Sequence, residues 1–577
     1  MSRSALSVLR RLRGYRREDA VADLVAAAIV TLMLVPQSLA YAMLAGLPPQ
    51  AGLYASILPL LAYALLGSSR TLAVGPVAVV SLMTAAAVGK IAAPGTPEYT
   101  TAALTLAAAS GLVLLGMALL RLGWLANYLS HPVVSGFISA TAVVIAAGQL
   151  KHLLGVPADG DSLVQIVPRL IAALPQANAP TVAIGLATLG FLVWARQWLK
   201  PLLQRLGLSA GAADLAAKVA PALAVAVSVL VVWLGDLSQA GVKTVGVVPS
   251  RLPALTWPSL EPALWRELLP AAVLISLIGF VESVSVAQTL AAKRRERISP
   301  DRELTALGAA NLAAAVSGGY PVSGSLARSV VNFNAGARTA IAGVWTAAGI
   351  ALLALLFAPL FLYLAQAVLA ATIIVAVLSL VDLPALKRTW TYSKTDFAAM
   401  AATIAGVLAV GVETGVVAGV ATSIALLLWE SSRPHVAVVG LVPGTEHFRN
   451  VRRHRVVTSR TVLSVRVDGS LYFANTRYLE DCIYDQVVTR PELKHVVLMC
   501  TAVNRIDASA LEGLESLVRR LADAGVTLHL AEVKGPVMDR LKRSDFLERL
   551  TGQVFLSQFQ ALQALDPAVA ARAHEPA

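Results

Sequence analysis

YPVSGSLARSVVNFNAGAR, residues 320–338, breaks a run of apolar segments with glycine, proline and a single arginine. Gly318, Gly319, Pro321 and Gly324 prevent a regular helix through the first half, whereas LARSVVNF can begin one. The passage therefore reads as an extended approach running into a helix N-terminus. Such a start carries free N–H groups and the positive end of the helix dipole, with Arg328 about one turn inside it. At membrane depth a broken element survives only where it is buried in protein or lines a cavity. The flanking apolar segments leave little room for a water-exposed loop with an incidental arginine, so the stretch is a candidate anion site.

The composition supports that depth. Of 577 residues, 57% are hydrophobic and only 14% charged, and the mean hydropathy is +0.70. These values exclude an ordinary soluble protein and indicate a polytopic α-helical membrane protein. The net charge of +13 reflects topology and not nucleic-acid binding, because the basic residues form short clusters between apolar segments. Cys482 and Cys500 both fall in the polar C-terminal portion, so a reducing cytosol is acceptable and no disulfide framework is implied. The basic N-terminus, MSRSALSVLRRLRGYRRED, reads as a cytoplasmic tail over 1–20 and not as a signal peptide.

From 21 to 430 the chain is a transport-sized series of about fourteen apolar stretches, at 21–43, 51–67, 76–89, 100–120, 126–148, 180–196, 213–234, 268–291, 303–317, 324–335, 339–357, 361–381, 395–411 and 413–430. With the N-terminus inside, the positive-inside rule also places Arg70, Arg121, Arg196 to Arg205, Lys293 to Arg297, Arg338, Lys387 to Lys394 and Arg433 in the cytoplasm, and the longer joints 149–179 and 235–262 outside. The third and tenth stretches are too short to cross alone. One follows RTLAVGP, the other SGGYPVSG, and each is third in its half. Paired short, Gly/Pro-interrupted segments in corresponding positions predict seven plus seven inverted repeats, with two half-helix N-termini pointing at one another near the midplane.

Past Glu430 the composition changes. SSRPHVAVVGLVPGTEHFRNVRRHR is read as a basic passage leading into a soluble domain over 431–565. Within it, VLSVRVDGSLYFAN alternates like a strand pair, RYLEDCIYDQVV is amphipathic, HVVLMC and VTLHLAEV are strands, and ALEGLESLVRRLADAG is a helix closed by glycine. That alternation predicts a small α/β domain. The tail 566–577, DPAVAARAHEPA, is expected to be loose.

Two further places carry candidate chemistry. Glu282 lies in LISLIGFVESVSVAQTL, where a carboxyl is expensive unless paired or protonated; near Arg328 it could exchange proton and anion charge during a cycle. The alternative is a protonated acid that hydrogen-bonds between helices. In the first stretch Gln37 and Tyr41 stand four residues apart on one helical face beside Pro36, and could line a cavity. Taken singly, either could be interhelical glue or an interface aromatic.

VPQSLAYAMLAGLPPQAGLYAS, LAVGPVAVVSLM, GFVESVSVAQ and YPVSGSLARSVVNFNAGART strongly resemble the SulP (sulfate permease) anion transporters, and the C-terminal part resembles the STAS domain that family commonly carries. The resemblance implies core and gate domains, a homodimer in the cell membrane with both termini cytoplasmic, and an elevator-like cycle. It places the anion between the half-helix starts at Val77 and Ala78 and at Ser325, Leu326, Ala327 and Arg328, with Gln37 and Tyr41 contributing. Arg328 matches the arginine of many sulfate- and chloride-handling relatives. Ala327 stands where plant sulfate carriers have serine, which keeps a dicarboxylate beside sulfate as substrate. Glu282 matches the position linked to proton coupling, and Val286 cannot supply the oxygen that sodium-coupled relatives use. In the soluble domain VNRIDASALEGLESL resembles anti-sigma-factor antagonists, with Ser509 at their phosphorylatable serine; Ala508 and Ala510 alter the motif, so Ser509 is expected first as a helix cap.

The leading expectation is proton-coupled uptake of sulfate or a dicarboxylate. An anion exchanger for chloride, bicarbonate or sulfate is the alternative, and a nucleobase–proton symporter is disfavoured by Arg328. A membrane-anchored regulatory module would not need two broken half-helices. No metal cluster, P-loop or nucleophile elbow points to an enzyme, and no cofactor is implied.

Overall fold

The computed structural model describes residues 15–127, 130–158, 160 and 162–574. It divides into two compact units, Met1–Ser423 and Ile424–Ala577.

The first unit is helical, and eight helices among the described residues of the chain are long and apolar enough to cross a membrane. Local chemistry starts and stops them. Pro97–Leu119 begins with proline after Thr96, whose side chain accepts from the Tyr99 N–H. Ala179–Trp194 is capped in the same way by Asn178 on the Thr181 N–H, and His131–Leu154 ends at Gly155, left-handed at φ 74°.

Packing sorts the helices into two groups. Pro300–Val316 lies on Pro97–Leu119 and Leu58–Leu66, Pro262–Lys293 on Pro97–Leu119, and Ile341–Leu356 on Arg17–Leu44. In the other group His131–Leu154 packs on Gln366–Leu378 and Lys394–Ala409, and Gln366–Leu378 on Ala179–Trp194. Small residues bring Val412–Ser432 against Lys394–Ala409: a β-carbon at Gly415 would fall 2.3 Å from Val407, and one at Gly419 1.9 Å from Thr403. Arg17–Leu44 touches both groups, reaching Ala210–Leu234 and Gln366–Leu378 with the face that carries Leu34, Leu39 and Tyr41. These two groups match the core and gate domains that the resemblance implies.

Three expectations change in detail. The second stretch is two helices, Pro49–Tyr54 and Leu58–Leu66. The joint 149–179 contains a helix, Leu163–Ala173, which is amphipathic and lacks the uniform apolarity of a span. The joint at Lys387 to Lys394 lies largely in the helix Leu383–Tyr392, started by Asp382 accepting from the Ala385 N–H at 2.8 Å.

The second unit holds a six-stranded sheet. With β1 and β2 reserved for the short strands of the first unit, Ala73–Gly75 and Ser323–Ser325, the sheet comprises β3 (Val436–Leu441), β4 (Phe448–Asn450), β5 (Val462–Val467), β6 (His495–Met499), β7 (Thr527–Ala531) and β8 (Val554–Phe555), in the order β4-β3-β5-β6-β7-β8. Strands β5 to β8 are parallel, and β3 is antiparallel to both neighbours. The helix Ala508–Asp523 buries Ala510, Leu514, Leu517, Val518 and Leu521, a helical stripe on the sheet.

Here several readings are corrected. HVAVVGL, taken as a lead-in, is strand β3, while VLSVRVDGSLYFAN forms only β5 before turning into the helix Thr476–Val488. The helix cap is Asp507 and not Ser509: Asp507 accepts from the Ala510 N–H at 2.8 Å and the Phe473 N–H at 3.1 Å, leaving Ser509 exposed in the first turn. The tail is anchored as far as 573, because Asp566 caps Pro567–Ala570 and Ala570 and Ala573 join Leu441 and Phe448 in a small core; 575–577 lie outside the described residues.

Candidate functional site

Strands β1 and β2 pair antiparallel, with Ala73 opposite Ser325, Val74 opposite Gly324 and Gly75 opposite Ser323. Each runs into a helix, Ala78–Val88 or Leu326–Asn334. The antiparallel register sends these helices away in opposite directions, so their N-termini face each other across the ladder. Val77 and Ser325 are the N-cap residues, both extended, and neither side chain caps its helix. The first-turn N–H groups are thus without side-chain caps at both ends, concentrating positive potential between them.

Arg328 adds a full charge. It is 1% exposed, and its Nη1 donates to the Pro76 carbonyl oxygen at 2.7 Å, tying one half-helix to the approach of the other. Its Nε and Nη2 are buried without a hydrogen-bond partner among the described residues. A buried guanidinium with two unanswered donors is costly, and an anion is the species that satisfies both donors and the charge.

The surrounding side chains fix this backbone. Ser329 Oγ accepts from the Ala73 N–H at 2.9 Å, and Asn332 donates to Thr71 O at 3.1 Å. On the other side Ser283 Oγ accepts from the Gly324 N–H at 2.9 Å. A β-carbon at Gly324 would fall 2.8 Å from that oxygen and 2.9 Å from Leu72, so only glycine permits the approach. Asn311 acts as a substitute strand: its amide donates to Val322 O at 3.0 Å and its carbonyl accepts from the Val322 N–H at 2.9 Å. Tyr320, fully buried, shares a hydrogen bond of 3.1 Å with Ser81 on the opposite half-helix.

Among the residues singled out from sequence, Val77, Ala78, Ser325 and Arg328 come together at the ladder. Tyr41 is 7% exposed and within electrostatic range of Arg328 and Glu282. Gln37 is half-buried one turn earlier on the same helix. Leu326 and Ala327 are exposed while Arg328 turns inward, so only the backbone of those two belongs to the helix start. Glu282 makes no ion pair or hydrogen bond with Arg328 among the described residues; it lines a narrow apolar pocket with Phe137, Ile278 and Val416, and feels Arg328 through space.

Residues 21–403 match the sulfate permease family and residues 453–561 the STAS domain. The chain is 35% identical to the chloroplastic sulfate transporter 4.1 of Arabidopsis thaliana over 539 residues, 91% of this chain and 77% of that one. It is 32% identical to a probable sulfate transporter of Mycobacterium tuberculosis over 556 residues, 96% of each. The chain belongs to the sulfate permease family. Its fold is also that of SLC26A9, with a TM-score of 0.86 at 21% identity over 99% of this chain and 94% of that one. The transmembrane domain of the cyanobacterial bicarbonate transporter BicA matches 71% of this chain and 98% of its own, with a TM-score of 0.60 at 20% identity.

In this sulfate permease family member, sequence reading missed the groups that brace the broken elements. Asn311 carried a usable signal, a lone carboxamide in the apolar half, ALGAANLAAAV, of its helix. Two buried carboxylates were also passed over. Glu303 accepts from Tyr63 Oη at 2.6 Å, Ser68 N at 2.7 Å, Ser68 Oγ at 2.5 Å and Ser69 N at 3.2 Å, holding the loop before β1. Asp23 accepts from Arg338 N at 2.7 Å, Thr339 N at 3.1 Å and Thr339 Oγ1 at 2.5 Å, holding the loop after Leu326–Asn334. Both lie at helix ends rich in ordinary charges, where nothing in composition separates a clamp from a solvated acid.

Proposed function

We propose that this protein is a secondary active transporter that carries sulfate or a dicarboxylate together with a proton. The observation that carries the reading is Arg328, buried between two facing helix N-termini with Nε and Nη2 unanswered. A tetrahedral oxyanion or a carboxylate suits that fork, and a neutral nucleobase does not. The sulfate transporters among its relatives support sulfate. Glu282, in an apolar pocket within electrostatic range of Arg328, is the proton carrier in this reading, and Val286 gives a sodium ion no oxygen. The two packed helix groups support an elevator-like movement of one against the other, in a homodimer of the cell membrane with cytoplasmic termini.

A second reading, anion exchange, is favoured by the missing direct contact between Glu282 and Arg328, since exchange needs no proton to compensate the anion. Uptake of a panel of labelled anions into proteoliposomes, with and without a pH gradient and with sodium absent, tests both. Sulfate or dicarboxylate accumulation driven by the proton gradient is expected. Gradient-independent exchange only would select the second reading, and a sodium requirement would overturn the first.

A further inference from the structure

The second unit contains a polar cavity remote in sequence from every residue of the transport site. It measures about 310 Å³ and sits on the β4-β3-β5 edge of the sheet, lined by Arg449, Arg453 and His454 on one side and His435, Arg466 and Asp468 on the other. The backbone sets this arrangement. Arg449 is on β4, opposite Gly440 of β3, and Arg466 is on β5, opposite Ala437. After β4 the chain turns back on Asn450, whose carbonyl oxygen accepts from the Arg453 N–H at 3.0 Å and the His454 N–H at 3.1 Å, and whose side chain accepts from the Arg452 N–H at 2.8 Å. The turn holds Arg453 and His454 at the rim.

The charges in this cavity do not balance. Asp468 is its only carboxylate, and it is already shared: Arg466 Nε and Nη2 donate to its two oxygens at 2.6 and 3.0 Å, and His435 Nδ1 lies 2.8 Å from Oδ2. Arg449 reaches only the Phe448 carbonyl oxygen, at 3.3 Å, and neither Arg449 nor Arg453 has a carboxylate partner among the described residues. Arg449 and Arg453, four residues apart and both exposed, line the same cavity, so their guanidinium forks are available together to one anion.

We propose that this cavity binds a clustered-phosphate anion, held by the forks of Arg449 and Arg453 with His454 at the rim and Arg466 oriented by Asp468. Guanidinium forks match phosphate oxygens pairwise, and the volume exceeds the size of a single tetrahedral oxyanion. The phosphates come either from a soluble polyphosphate or from lipid headgroups; His435 stands three residues past the end of the apolar helix Val412–Ser432.

The test uses the full-length chain carrying Arg328→Ala, so that the transport site does not contribute, in phosphatidylcholine nanodiscs titrated calorimetrically with pyrophosphate. Saturable binding is expected, weakened about ten-fold or more by adding Arg449→Gln and Arg453→Gln, exposed positions whose change leaves the Arg466–Asp468 pair intact. Repeating the titration in nanodiscs that also contain phosphatidic acid distinguishes the sources: suppressed pyrophosphate binding assigns the cavity to headgroups, and an unchanged titration assigns it to a soluble anion. Absence of saturable binding in the phosphatidylcholine discs, or equal affinity in the doubly substituted chain, overturns the proposal.

Discussion

In the proposed cycle Arg328 and Glu282 divide the work that one ion pair was expected to do. Among the described residues the one acceptor Arg328 reaches is the Pro76 carbonyl, which in this reading leaves its charge to a ligand, and Glu282 sits in an apolar pocket without a hydrogen-bond partner. A carboxyl in such surroundings is held at lowest cost as the neutral acid, which glutamine mimics in shape. Glu282→Gln is therefore expected to abolish accumulation driven by a pH gradient while retaining anion binding and counterflow at equal pH. Parallel uptake and counterflow assays on one reconstituted preparation check this; undiminished proton-driven accumulation would remove Glu282 from the coupling mechanism.

At the level of elements, the two half-helices stand on side chains borrowed from their neighbours. Asn311→Ala would strand the Val322 N–H and C=O in a buried setting, at about 1–3 kcal/mol for each group. The expected result is a lower melting temperature for the purified protein together with weaker anion affinity, read by thermal unfolding with and without sulfate. The soluble sheet carries a pH-dependent element of its own. His529 Nδ1 accepts from the Gln553 N–H at 3.0 Å, so its proton is on Nε2, facing His495 Nδ1 at 3.2 Å. Burial, with His495 beside it, lowers the His529 pKa from 6.5 to about 4. The unfolded chain then takes up a proton before the folded one, so this contribution is complete above pH 6.5 and is lost as the pH falls towards 4. Hydrogen exchange of β6 and β7 amides in the full-length protein should show protection declining over that window, with a shallower decline in His529→Gln. Much of the element plan was legible in the chain: glycine and proline interrupting apolar runs at 70–76 and 317–324 announce both broken elements. Asn311 was not legible as a brace, because its partner Val322 lies eleven residues away across a turn. The motif resemblance points to Ser509, but Asp507 two residues earlier has the extended backbone a cap requires. The helix Pro567–Ala570 is too short to show a period.

Over the whole molecule, every residue proposed for the anion and the proton lies before 424, in the first unit. Ending the chain after Ser432 is expected to leave measurable anion uptake by correctly inserted, purified protein; complete inactivity would make the STAS domain integral to the cycle. The inverted repeat was readable from the paired broken segments and core and gate followed from the family resemblance, whereas the shared face of Arg17–Leu44, which packs on both groups, emerges only from tertiary contacts. The central claim is that one buried guanidinium between two helix N-termini holds the transported anion. Equilibrium binding of labelled sulfate to purified wild type and Arg328→Ala, with each preparation shown by size-exclusion and thermal unfolding to be folded, tests it most directly: saturable binding in the wild type and its loss in the variant are predicted, and wild-type affinity in a folded Arg328→Ala preparation would contradict it.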